Sequence, residues 1–109
     1  MSKITFKFKL ALVDGMRATT FRIDSERLSE DDLEIMRSPT DTNVIEGEIS
    51  IEPILSTVVI SVWGVGKPNL VGSFNITYKN KKFFDVDEKL VVNSGARFRF
   101  YKTQIKIPY

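Results

Sequence analysis

The chain has 109 residues and a formal net charge of +2, and 42% of its residues are hydrophobic. This length and composition are typical of one globular domain spanning residues 1–109. The sequence contains no histidine and no cysteine, which excludes an imidazole base, a thiolate nucleophile, a disulfide and the usual His/Cys zinc sites. We therefore expect no cofactor and predict that the protein is not an enzyme.

The sequence offers no segment long enough to cross a membrane as a helix. Its longest apolar stretches, 58–60 and 90–92, are far shorter than the ~20 residues that a spanning helix requires. Residues 1–9 alternate apolar and charged side chains and lack the apolar run of a signal peptide. We accordingly expect a soluble, intracellular protein of the cytoplasm.

The N-terminal residues alternate with a period of two. Residues 3–12 place apolar side chains at even positions and mostly basic or polar ones at odd positions, which predicts a strand with one buried and one basic face. Residues 16–23 are rich in Thr and Phe and predict a second strand. Asp14-Gly15 lies between the two and favours a hairpin that pairs them.

A short helix is predicted near 29–37. Ser29 precedes Asp32 by three residues, as in a capping box with Asp in place of the usual Glu. Leu33 and Met36 share one helical face, and Pro39 would end the helix. We expect this helix to connect two strands across a sheet edge.

The rest of the chain returns to a period of two. Strand-like segments occupy 45–52, 55–63, 70–78, 90–92 and 96–107. Segment 55–63 has apolar residues on both faces, as a central strand does, and 64–69 is predicted to be a loop. Short strands at this spacing predict an all-β fold, an antiparallel β-sandwich of about seven to eight strands with one short helix.

The last segment changes parity along its length. Phe98 and Phe100 fall on one face, whereas Tyr101 and Thr103 share the other with Ile105 and Ile107. Because a strand keeps its parity unless a residue is inserted, this pattern predicts a β-bulge near Tyr101.

Residues 58–64 read Val-Val-Ile-Ser-Val-Trp-Gly, and the next strand opens with Leu70-Val71-Gly72. This pattern over residues 47–78 resembles the C-two domain, a calcium-and-lipid-binding sandwich whose strand ends in Leu-x-Ile-x-Val-Trp-Asp before a calcium loop. Gly64 and Gly66 stand where that family has two loop aspartates. Calcium needs six to eight oxygen ligands, so the resemblance implies a C-two-like Greek-key sandwich that is calcium-independent at this loop.

Charge is distributed unevenly along the chain. Residues 1–22 hold five Lys/Arg and one Asp. Residues 23–52 hold two Arg and ten Asp/Glu, and residues 53–109 hold nine Lys/Arg and three Asp/Glu. This asymmetry predicts two partner-binding surfaces. The predicted basic surface comprises Lys3, Lys7, Lys9, Lys79, Lys81, Lys82, Arg97 and Arg99, and the predicted acidic surface comprises Glu30, Asp31, Asp32, Glu34, Glu46 and Glu48. Solvated strand faces with protective lysines are the simpler explanation of the basic set.

These observations lead to three hypotheses on function. The first is a non-enzymatic protein-interaction or assembly module, an adaptor or structural subunit that docks a partner or a second copy through charged faces or edge strands. The second is a calcium-independent module of C-two type that binds anionic phospholipid at a membrane surface. The third is single-stranded nucleic-acid binding through the alternating cations and aromatics of 97–102, and nucleic acid is the less favoured partner because Phe98 and Phe100 fit a core better.

One acidic cluster could suggest a metal site. Asp85 and Asp87 would lie on one side of an extended chain, with Glu88 next to them. The neighbouring sequence supplies no further oxygen ligands, which favours a turn with solvated acids. We therefore predict no metal site here.

Overall fold

The computed structural model describes residues 3–53 and 55–108, which form two antiparallel β-sheets packed face to face with one short helix. In chain order the elements are β1 (Ile4–Ala11), β2 (Met16–Ile23), β3 (Glu26–Leu28), α1 (Glu30–Ile35), β4 (Val44–Ile51), β5 (Thr57–Gly66), β6 (Val71–Tyr78), β7 (Lys81–Lys82), β8 (Glu88–Val91) and β9 (Arg97–Lys106). The predicted all-β sandwich is confirmed. The described strands number nine because two short ones, β3 and β7, were not foreseen.

Strands that follow one another in sequence are divided between the two sheets. The first sheet has the order β4-β1-β6, and both β7 and β8 pair with β6. The second sheet has the order β3-β2-β5-β9. Strand β5 is therefore central, as its two apolar faces predict.

Strands β1 and β2 do not form the predicted hairpin. They belong to opposite sheets, because β1 already has β4 and β6 as hydrogen-bonded neighbours. The buried faces of the two strands instead meet across the core, where the rings of Phe8 and Phe21 stack with centroids 4.3 Å apart. Gly15, with φ of +93°, turns the chain from one sheet to the other, and its carbonyl accepts a hydrogen bond from Lys67 N. The Asp-Gly signal thus predicts the turn correctly but not the partner.

Helix α1 lies against β2, β3 and β4, so it spans the edges of both sheets. The predicted capping box is present: Ser29 N donates to Asp32 Oδ2 at 2.9 Å, and Ser29 Oγ accepts from Asp32 N at 3.4 Å. Leu33 is fully buried beneath the helix. The helix is shorter than the predicted 29–37, because Arg37 leaves it to form a β-bridge with Ile45 on the edge of β4. Within the described residues, no helix is long and apolar enough to span a membrane.

Two β-bulges interrupt the second sheet. In β2 the extra residue is Thr19, and the buried positions change from even at Ala18 to odd at Phe21. In β9 the register with β5 shifts between Lys102 and Ile105. Each inserted residue moves the side chains that follow it to the opposite face.

The parity change predicted in the last strand is therefore confirmed, but its position is not. The bulge lies at 103–104, where Gln104 has a positive φ of 56°, rather than at Tyr101. Phe98 is buried and Phe100 is half-buried, as predicted, and Ile105 is buried on the same side after the bulge. Tyr101 and Thr103 are exposed because they precede the inserted residue.

The segment predicted as a loop at 64–69 begins as strand. Strand β5 runs on through Gly66, paired with both β2 and β9. A Cβ atom on Gly64 would collide with the ring of Phe98 and with the main-chain oxygen of Arg17. Glycine is present at position 64 because the core packs against bare backbone there.

We predict that Gly64→Ala lowers the free energy of unfolding by about 1–3 kcal/mol, because the added methyl group overpacks the core against Phe98. Urea unfolding followed by circular dichroism measures the change. Gly95→Ala is the matched control, since the nearest atom to its new Cβ is the exposed Asn93 Oδ1 at 3.2 Å. We expect the control to change the free energy by no more than about 0.5 kcal/mol. Equal effects of the two variants would contradict this packing argument.

Candidate functional site

The residues predicted to form one basic surface are distributed over both sheets. Lys7 and Lys9 lie on the outer face of β1, directly opposite Glu48 and Glu46 of β4. Lys9 Nζ approaches Glu46 Oε1 at 3.9 Å. This face therefore alternates in sign, and the predicted basic and acidic surfaces meet here instead of standing apart. The one-dimensional charge count could not reveal this, because β1 and β4 are neighbours only in space.

The other predicted basic residues lie elsewhere. Lys3 is exposed just before β1. Lys79 is in the turn between β6 and β7, where its positive φ of 50° and that of Asn80, 66°, fit a type I′ hairpin. Lys81 and Lys82 form β7 on the first sheet, whereas Arg97 and Arg99 belong to β9 on the second. The eight residues thus do not form one surface.

The predicted acidic residues of the helix are largely engaged within the chain. Glu30 Oε2 lies 3.1 Å from Arg17 Nε, and Glu34 pairs with Arg37 through two bonds of 2.8 Å. Hydrogen bonds from Ser29 hold the pKa of Asp32 below its usual value, and the bond from Arg37 does the same for Glu34. Asp31 is exposed and has no ion pair with a described residue.

The outer face of the second sheet holds a different cluster, a shallow concavity of about 330 Å³. We call it the arginine–aromatic patch, and its residues are Thr20, Arg22, Arg27, Ser61, Trp63, Arg99 and Tyr101. They come from all four strands of that sheet. None of the described residues that line it is acidic.

The strand register explains why these side chains meet. On β5, Ser61 and Trp63 point away from the core because Ile60 and Val62 point into it. Ser61 lies opposite Arg22 on one side and Tyr101 on the other. Trp63 lies opposite Thr20 and Arg99 in the same way. The bulge at Thr19 is required, since without it Thr20 and Arg22 would face the core.

Arg99 lies between the patch aromatics. Its guanidinium carbon is 4.8 Å from the ring centroid of Trp63 and 5.4 Å from that of Tyr101. Both aromatic residues are exposed, at 45% and 54% of their possible surface. Cation–π contacts of this length favour this position of the guanidinium and leave its N–H groups free to donate. The patch thus presents a positioned cation on an apolar surface.

The arginines of the patch have no carboxylate partner among the described residues. Arg22 uses Nε to donate to the main-chain oxygen of Asp24 at 2.6 Å, which leaves its two terminal nitrogens uncommitted. Arg27 contributes to the lowered pKa of Asp32 through its charge but forms no ion pair with it. Apart from this charge interaction of Arg27 with Asp32, the patch concentrates positive charge that no ion pair among the described residues neutralises.

A larger concavity of about 450 Å³ lies on the outer face of the first sheet. Its charged lining residues are Lys7, Lys9 and Lys82 together with Glu46 and Asp87. These charges are of mixed sign, unlike those that line the arginine–aromatic patch. Its size alone does not make it the better candidate.

The acidic cluster at 85–88 has a structural role at one position. Asn75, nearly buried on β6, donates through Nδ2 to Asp87 Oδ1 at 2.8 Å and to the main-chain oxygen of Phe84 at 3.0 Å. These bonds fasten the segment before β8 onto the first sheet. In the part of the chain that the structure describes, no group of three or more acidic side chains could hold a metal ion.

No family model matches the chain, and no curated protein or solved structure matches it significantly. The resemblance to the C-two domain therefore stays a prediction. The position that would carry the first loop aspartate, Gly64, lies inside β5 and packs against Phe98.

The sequence indicates only part of the patch. Arg97-Phe98-Arg99-Phe100-Tyr101 alternates cations with aromatics, and that signal placed Arg99 among the candidates. The aromatic partners of Arg99, however, are Trp63 and Tyr101, not the inward-facing Phe98 and Phe100. Arg22, Arg27 and Ser61 carry no local signal, because only the pairing of β2 with β3 and β5 brings them together.

We predict that Ser29→Ala destabilises the protein by about 1 kcal/mol near neutral pH, since it removes a helix cap. Because the folded-state pKa of Asp32 is lowered, the stabilisation from its charged form is present above its unfolded pKa and is lost as the pH falls. Alanine keeps the main-chain N–H that donates to Asp32 Oδ2 but removes the bond from Ser29 Oγ, so only the part of this stabilisation that depends on the hydroxyl is lost. The difference from wild type should therefore shrink in part between about pH 7 and about pH 2.5. Urea unfolding at both pH values tests this, with Ser94→Ala in an exposed turn as the control. A difference that is constant with pH would contradict a contribution from the bond between the Ser29 hydroxyl and Asp32.

Proposed function

We propose that the protein is a non-enzymatic interaction module that docks an acidic segment of a partner protein onto the arginine–aromatic patch. The observation that carries this proposal is Arg99 held between the exposed rings of Trp63 and Tyr101. Trp, Tyr and Arg are the residues most enriched where binding energy concentrates in protein interfaces. A partner with negative charge fits, because Arg22, Arg27 and Arg99 have no acidic neighbour lining the patch.

A second copy of this chain is a less suitable partner. Of the six acidic residues on α1 and β4, three already contact a cation of their own chain: Glu30 contacts Arg17, Glu34 contacts Arg37 and Glu46 contacts Lys9. Docking them on the patch would break those contacts. We therefore favour a different protein, and a mass in solution that stays monomeric across protein and salt concentrations is the corresponding expectation.

Two other hypotheses make different use of the surface. A membrane module of C-two type would place the basic face of β1 on anionic lipid, but Lys7 and Lys9 lie opposite Glu48 and Glu46. Single-stranded nucleic acid would stack bases on Trp63 and Tyr101 and would use the same patch. Treatment of captured adducts with protease and with nuclease separates a protein partner from nucleic acid. A cytoplasmic location stays a prediction of the sequence.

We predict that a photo-crosslinking amino acid in place of Val65 captures a protein partner in cells. Val65 follows Trp63 on the same outer face of β5, at the rim of the patch. The matched control places the same amino acid at Thr5, which is exposed on the outer face of the first sheet. Adducts should form from position 65 and not from position 5. They should be removed by protease and unaffected by nuclease.

Arg99→Ala introduced into the position-65 protein should reduce adduct yield by roughly tenfold or more, in line with loss of one central interface arginine. Lys7→Ala should leave the yield unchanged, since Lys7 lies on the other sheet. Adducts that nuclease removes would replace the protein partner by nucleic acid. Equal yields from positions 65 and 5, or no effect of Arg99→Ala, would refute the proposed binding face.

A further inference from the structure

We propose that the arginine–aromatic patch receives a phosphorylated side chain of the partner, with its phosphoryl group bound by Arg22, Arg27 and Arg99. This inference rests on the proposed function and adds the chemistry of the group that is recognised. It follows from the charge of the concavity, from the donors that line it and from the way in which Arg99 is held.

The charge of the concavity exceeds what one carboxylate would balance. Three guanidinium groups line it, and no acidic side chain does. A carboxylate brings one negative charge, whereas a phosphate monoester brings about 1.5 to 2 at neutral pH and three strong acceptor oxygens. A single phosphorylated residue therefore matches this site better than a single Asp or Glu does.

The lining consists of uncommitted hydrogen-bond donors. The guanidinium groups of Arg27 and Arg99 donate to no acceptor within the described residues, and Arg22 uses only Nε. Beneath them, Ser61 is 7% exposed and its hydroxyl has no hydrogen-bond partner among those residues. Arginine only donates, and its planar fork matches phosphate oxygens two at a time. A ligand that complements these donors is an acceptor with several oxygens.

The two aromatic rings position the guanidinium of Arg99 and offer a surface for the carbon part of the ligand. Trp63 and Tyr101 hold the guanidinium of Arg99 in place, so little side-chain entropy is lost when it binds an anion. The exposed ring surface that remains can pack against the carbon part of the ligand. An aryl phosphate is thus a suitable small probe.

Trp63 is the only tryptophan of the chain, so intrinsic fluorescence reports directly on this site. We would titrate the protein with phenyl phosphate and with phenylacetate, which share a ring and differ in the anion. Phenyl phosphate should bind roughly tenfold or more tightly than phenylacetate. Arg27→Ala and Arg99→Ala should each weaken it by roughly tenfold, and Arg99→Lys should not restore it, because lysine lacks the fork. Lys7→Ala is the control, and amide chemical shifts confirm that each variant is folded.

Equal affinities for the two probes, or affinities unaffected by the arginine substitutions, would overturn the phosphoryl proposal. If that happened while position 65 still captured a protein, the proposal of an acidic partner would be retained and only the proposal of its phosphorylation would be rejected. If phenyl phosphate bound as expected but no protein were captured, the anion site would stand and the proposed function would fall. An oligothymidylate that bound more tightly than a phosphotyrosine peptide would assign the phosphoryl group to nucleic acid and would overturn the proposal.

Discussion

The two faces of strand β5 connect the core of this protein to its candidate site. Val58, Ile60 and Val62 are buried between the sheets, whereas Ser61 and Trp63 lie on the opposite, outer face. Because side chains alternate strictly along a strand, any slip that moved the inner residues would also remove the outer ones from the patch. Packing energy in the core therefore fixes the position of Trp63, and through Trp63 that of Arg99.

The bulges in the neighbouring strands adjust this arrangement. Thr19 is inserted in β2, and its hydroxyl donates to the main-chain oxygen of Trp63 at 3.2 Å. The insertion allows Ala18 and Phe21 both to face the core while Arg22 faces solvent. Each bulge leaves one residue without regular pairing. In β2 the bulge places an arginine on the outer face of the sheet, while the inner face stays apolar. Core packing and site geometry are compatible only with that extra residue.

The sequence predicts more of the fold than of the site, for a physical reason. Alternation is local, so the strands, the capping box at Ser29 and the parity change in β9 can be recognised within a few neighbouring residues. Pairing is not local, and for that reason the Asp14-Gly15 turn suggested a hairpin between β1 and β2 that β4 and β6 prevent. The patch depends on the pairing of four strands, so Arg22, Arg27 and Ser61 were invisible. Arg99 was found because its own strand alternates cations with aromatics.

The arginines fall into two groups, one with ion pairs inside the chain and one without, although the net charge is small. Arg17 and Arg37 are paired with Glu30 and Glu34 at α1, where they help to hold the helix against the sheets. Acidic side chains of the helix therefore pair with Arg17 and Arg37 and not with the arginines of the patch. Arg22 and Arg99 remain without a carboxylate partner in the described structure. Exposed arginines without partners cost little in water, but they keep their full electrostatic attraction for an incoming anion. A patch of this kind contributes little to the stability of the fold, and its substitution should affect binding while leaving folding nearly unchanged.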